Sequence, residues 1–119
     1  NKLSICKPHG ASFIEDAALA VVIIGDSEKS DTWIEDCSIA SILLQMQAEE
    51  LGLGSCWVQV HKRPHNNEKT AEEFVKETLS IPQSKSVLSI IALGYPEQKK
   101  APIDESELLY DRIHLESFQ

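Results

Sequence analysis

The chain has 119 residues, 42% of them hydrophobic and 25% charged, which suits one domain built around one core. Its formal net charge of −8 argues against nucleic acid as a partner, because phosphate binding needs clustered Lys and Arg. No apolar run reaches the ~20 residues of a membrane helix, and no secretory signal is visible at Asn1. Three cysteines, Cys6, Cys37 and Cys56, have no regular spacing and read as reduced thiols of a cytoplasmic protein rather than a disulfide framework. The four histidines lack metal-ligand spacing, and Pro64 breaks any helix that would align His61 with His65, so no metal site is expected.

Residues 1–16 carry the turn signal Pro8-His9-Gly10 and read as a loop. Ala17 to Ile24 is continuous and apolar and ends on Gly25-Asp26, the pattern of a central strand buried on both faces. Asp31 is the expected N-cap of the next element, with Glu35 and Asp36 in its first turns. Between Cys37 and Met46 the helical pattern is apolar almost all the way round, with Ile39, Leu43 and Met46 on its way to Leu51. A helix apolar on nearly every side is buried on nearly every side, and one small sheet cannot cover it, so a partner subunit is expected against it. Gly52 reads as the C′ glycine that ends this helix.

Ser55 to His61 reads as a strand, with Trp57 and Val58 suited to a pleated surface. Thr70-Ala71-Glu72-Glu73 is a capping-box signature opening a short helix that Ile81-Pro82 stops. Val87 to Leu93 is a second buried strand ended by Gly94. Tyr110 to Phe118 alternates apolar and polar residues and predicts an extended arm, an added strand. The whole is a single α+β domain over 1–119, with residues 103–119 as a C-terminal arm.

The junction Leu51-Gly52-Leu53-Gly54-Ser55-Cys56-Trp57-Val58 is the least generic stretch. One reading is structural, a helix C-cap followed by a strand with Trp57 in the core. The other is functional: two glycines let the backbone approach a flat ligand, Trp57 and Val58 pack on it, and backbone groups near Gln59 bond its polar edge. The stretch is not a dinucleotide fingerprint, because it follows a helix instead of opening one. Cys56 and His61 do not read as a thiol dyad, since residues five apart on a strand point to opposite faces.

Trp33 to Ala40, then Leu51 to Trp57, then Leu88 to Pro96 with its Leu93-Gly94-Tyr95-Pro96 end, resemble the nitroreductase family in order and separation. That family comprises FMN-dependent oxidoreductases that form intertwined homodimers. The resemblance runs from about Ala17 to the end and corresponds to the C-terminal two thirds of a member. It implies a nitroreductase-like fold, a central sheet packed on a long buried helix. It implies that Ser55, Cys56, Trp57, Val58 and Gln59 run along the flavin ring, with a backbone bond from Gln59 near the reactive nitrogen. It places Gly94 near the ribityl-phosphate end and Lys99 or Lys100 at the phosphate; these lysines stand out in an acidic chain, although an exposed solvated pair is the plainer reading.

The Arg-rich opening that grips the phosphate in that family, and the Ser/Asn/Gln segment that holds the ring edge, have no counterpart here; the only arginines are Arg63 and Arg112. Two functions therefore follow as expectations. The first is an FMN-dependent NAD(P)H oxidoreductase acting on nitroaromatics, quinones or related acceptors, with the cofactor supplying the chemistry and no side chain of this stretch acting as acid or base. The second is a cofactor-free α+β dimerisation module derived from the same family. Both expect a homodimer with the long helix at its centre.

Overall fold

A computed structural model describes residues 1–118; Gln119, the last residue of the expected arm, lies outside the described residues. Two short 3-10 turns, Lys2–Ile5 and Ser12–Glu15, precede β1 (Leu19–Gly25). Helix α1 (Trp33–Glu50), β2 (Gly54–Gln59), α2 (Ala71–Leu79) and β3 (Ser86–Gly94) follow. The architecture is α+β: a three-stranded antiparallel sheet in the order β1-β3-β2, with helices on both sides.

The last strand in sequence is the middle one in space. β3 is buried from Val87 to Leu93, as its unbroken apolar run requires. β1 corrects the expectation for 17–24. It is an edge strand among the described residues, half-buried along its length, with Leu19 54% exposed. Its run is at least as apolar as that of β3, but it has only one ladder partner. A register shift between Ile23 and Ile24 lets the strand end at Gly25, where α1 crosses closely. A Cβ on Gly25 would lie 2.9 Å from Cys37 Sγ and 3.0 Å from the Trp33 ring, so only glycine permits that approach.

The two faces of the sheet hold two cores. On one side Val58, Val60, Ile90 and Ala92 pack with Ala71 and Val75 of α2 and with Cys6, Ala11 and Ile14 of the N-terminal turns. On the other, Ile91 and Leu93 pack with Ala48 of α1, flanked by Val21, Ile23, Leu44, Leu53 and Trp57. A hydroxyl pair, Ser41 to Ser89 at 2.9 Å, lies buried between α1 and β3; these small side chains let the helix lie close over the central strand.

Local sequence explains most helix ends. Thr70 accepts from the Glu73 N–H, and the Glu73 carboxylate accepts from the Thr70 N–H, closing the expected capping box. These bonds from Thr70 also hold the Glu73 carboxyl below its usual range. Gly52 takes φ +71°. There the Gly52 N–H donates to Glu49 and the Leu53 N–H to Ala48, a Schellman end completed by contact of Leu53 with the Ala48 cluster. The start of α1 differs from expectation. Thr32, not Asp31, is the N-cap residue, and its hydroxyl goes to Asp36 instead of a backbone N–H. The arm differs too: Tyr110–Arg112 is a 3-10 turn, and the described part of 103–118 forms no strand. An alternating pattern needs a sheet edge to pair with, and among the described residues this segment pairs with none.

Candidate functional site

The junction that stood out in the sequence lies at the open edge of the sheet. The Schellman turn at Gly52 delivers the chain into β2, where Gly54 pairs directly with Gly94 across the ladder. Two residues without side chains therefore face each other at one end of the sheet. Beside them lies a shallow groove of about 310 Å³ lined by Gly54, Ser55, Cys56, Gly94, Tyr95 and Pro96, and walled by Phe13 of the second 3-10 turn and Asp16 just after it.

The pairing register fixes what β2 offers. The Val60 N–H donates to the Leu88 carbonyl at 3.0 Å, which makes 60/88 a hydrogen-bonded pair. Antiparallel pairs alternate, so residues 54, 56 and 58 spend their peptide groups on β3. Ser55, Trp57 and Gln59 turn theirs to the open edge. Side chains alternate as well. Ser55, Trp57 and Gln59 lie on the α1 side of the sheet: Gln45 of α1 donates to Ser55 Oγ at 3.1 Å, and the Trp57 indole donates to Gln59 Oε1 at 2.9 Å. Cys56 and Val58 lie on the other side. Cys56 is exposed in the groove, whereas Val58 is fully buried in the core. Val58 thus offers a ligand no side-chain surface in this chain, and Trp57 packs against the second core.

Of the residues singled out in the sequence, Ser55, Cys56 and Gly94 come together in the groove, and Trp57 and Gln59 follow along its strand. Lys99 and Lys100 are exposed beyond Pro96 and do not line the groove. Sequence reading had not singled out Phe13 or Asp16, which have no local signal; the Gly54–Gly94 pairing becomes visible only once β2 and β3 are set side by side.

The family model of the nitroreductase family matches residues 4–95. The chain belongs to the nitroreductase family. A curated relative from Methanothermobacter thermautotrophicus, provisionally named an NADH dehydrogenase/NAD(P)H nitroreductase, is 33% identical over 98% of this chain. One from Archaeoglobus fulgidus with the same name is 32% identical over 88%. This chain spans 59% and 60% of the lengths of those two proteins. Among solved structures, an FMN-dependent nitroreductase from Clostridium difficile superimposes with a TM-score of 0.95 at 44% identity, over 98% of this chain and 68% of that one. A protein from Clostridium acetobutylicum provisionally named an NADH oxidase gives 0.83 at 26% identity, over 98% and 68%. The nitroreductase fold expected from the motifs is therefore the fold observed. Among the described residues no helix is long and apolar enough to cross a membrane.

The residues present suit one part of a flavin nucleotide better than the other. The outward peptide groups of Ser55, Trp57 and Gln59 match the alternating donors and acceptors of a planar heterocycle. Gly54 and Gly94 add no side chains to the groove, and a Cβ on Gly54 would stand 3.3 Å from the Pro96 ring. No Lys or Arg lines the groove, and Asp16 does, so the groove itself supplies no positive charge for a phosphate.

Proposed function

We propose that this chain forms the ring-binding part of an FMN-dependent NAD(P)H oxidoreductase. The observation that carries the reading is the edge of β2, where three outward peptide units run beside the Gly54–Gly94 pair. Family membership and the FMN-dependent nitroreductase structure support it. Bound FMN would supply the redox chemistry, carrying two electrons from NAD(P)H to a nitroaromatic, quinone or related acceptor. The chain's own share is to bind and orient: the backbone of Ser55, Trp57 and Gln59 at the ring edge, Cys56 and Gly94 at the groove, and Lys99 or Lys100 toward the phosphate. No side chain here is assigned a proton-transfer step.

The same reading includes a homodimer. Ile39, Leu43 and Met46 on α1 are 57%, 59% and 63% exposed, an apolar face that a second copy would cover. The free thiols Cys6, Cys37 and Cys56 suit a reducing compartment such as the cytoplasm.

The deciding experiment is an absorbance spectrum of the protein from about 300 to 550 nm after FMN addition and desalting. A flavin band near one per chain is the expected result. A colourless protein sinks the reading for this chain and favours the cofactor-free dimerisation module, to which a groove lined by Asp16 and by no Lys or Arg lends weight.

A further inference from the structure

The α1 side of β2 carries a set of side-chain hydrogen bonds beyond the sheet ladder. Trp57 and Gln59 share one face of β2, and His61 follows beyond the strand end, where the Val60 and His61 N–H groups both donate to the Leu88 carbonyl. The Trp57 indole donates to Gln59 Oε1 at 2.9 Å, and Gln59 Nε2 donates to the His61 carbonyl at 3.2 Å. At one end Gln45 of α1 reaches Ser55 at 3.1 Å. At the other, the His61 ring stands edge-on to Trp33, the first residue of α1, with centroids 4.9 Å apart and planes at 82°. This face of β2 is thus tied to α1 at both ends and laced along its length. Residues 55, 57 and 59 are also those whose peptide groups face the open edge.

An edge strand is held by a ladder on one side only, so its outer N–H and C=O groups keep freedom to tilt with the local twist. Long polar side chains such as Gln45 and Gln59 ordinarily extend into water at a cost of little but entropy when fixed. Here their donors and acceptors are committed to the strand and the helix beneath it. Groups fixed during folding need no further ordering when a ligand arrives, and affinity rises by that difference.

We propose that Gln45, acting through Ser55, and the side chains of Trp57 and Gln59 are positioning groups that preset the outward peptide edge of β2 for the polar rim of a planar heteroaromatic ligand. This rests on the flavin reading above. It adds Gln45, which does not line the groove itself but bonds Ser55 there, to the residues that shape the site.

The test compares the wild-type chain with Gln45→Met, Trp57→Phe and Gln45→Glu. The first keeps side-chain length and loses the amide; the second keeps a smaller aromatic ring and loses the indole N–H. In the third the Ser55 hydroxyl can turn and donate to the carboxylate. Two readouts are taken: backbone ¹⁵N order parameters at residues 55–59, and FMN affinity from quenching of flavin fluorescence. Gln45→Met and Trp57→Phe are expected to lower the order parameters of 55, 57 and 59 from the rigid value of about 0.85, leave β3 unchanged, and weaken FMN binding about five- to tenfold. Gln45→Glu is expected to restore both. Unchanged order parameters in the first two variants overturn the proposal. So does unchanged affinity for FMN when the wild-type chain binds it. A wild-type chain that takes up no FMN overturns the flavin reading instead, and the order parameters then decide the ladder on their own.

Discussion

Helices α1 and α2 pack on opposite faces of the same sheet and solve the burial problem differently. α2 is short and amphipathic: Ala71 and Val75 are fully buried, Glu73 and Glu77 face water, and the half-buried Glu72 accepts from the Val87 N–H. α1 is twice as long and far more apolar, yet among its residues only Cys37, Ser41 and Ala48 are buried. The sheet needs a stripe of small residues for close approach, and the large ones, Ile39, Leu43 and Met46, are left on the far side. A helix's apolar content therefore does not measure how much of it one chain can bury. α2 is complete within this chain, whereas α1 calls for a second surface.

The same substitution on each helix should separate the two most widely. Val75→Asp places an unpaired carboxylate in the core and is expected to cost more than ~4 kcal/mol, enough to leave the chain unfolded by circular dichroism. Leu43→Asp should leave the fold intact and abolish self-association, read by light scattering at micromolar concentration. A Leu43→Asp chain that unfolds, or a wild-type chain that is a clean monomer, breaks the comparison.

Smaller effects sharpen it. Gly25→Ala forces a methyl group against Cys37 and Trp33 and should lower stability by ~1–3 kcal/mol in denaturant titration, showing that the narrow α1 contact is nevertheless tight. Thr70→Ala removes the hydroxyl that caps α2 and should cost ~1 kcal/mol in the same assay.

The smallest effect belongs to an ion pair outside both helices. Lys85 Nζ bonds Asp26 Oδ2 at 2.6 Å, and this bond is the main reason that the Asp26 carboxyl sits below its usual range. A depressed carboxyl adds stability above its unfolded value of about 3.9 and loses it as pH falls through the lower folded value. Asp26→Asn should therefore melt slightly below wild type at pH 7, and the gap should close as the pH is taken below about 4. A gap that persists at the lowest pH would assign the loss to something other than the charge.

Local signals carried much of this. The Thr70–Glu73 capping box and the Gly52 helix end follow from a few adjacent residues, because each closes its bonds within one turn. The apolar run of β3 marked it as buried. The run of β1 is even more apolar, and its composition did not say that it lies at an edge. The arm's alternation in 110–118 announced a strand, but a strand needs a neighbour, and the described residues find none. At the candidate site, the motif from Gly52 to Gln59 drew attention to the right strand. It could not say that Val58 is sealed in the core while Cys56, two residues earlier on the same face, is exposed.

By itself the sequence determined the family, the α+β class, the two helices, the three sheet strands and the long apolar helix that one sheet cannot cover. Only the tertiary structure decided that β3 is central, that Gly54 faces Gly94, and that the peptide groups of residues 55, 57 and 59 turn outward. Caps and periodicities depend on residues a few positions apart. Strand order and register depend on which distant segments meet, and one step of register reverses every outward-facing group along the strand.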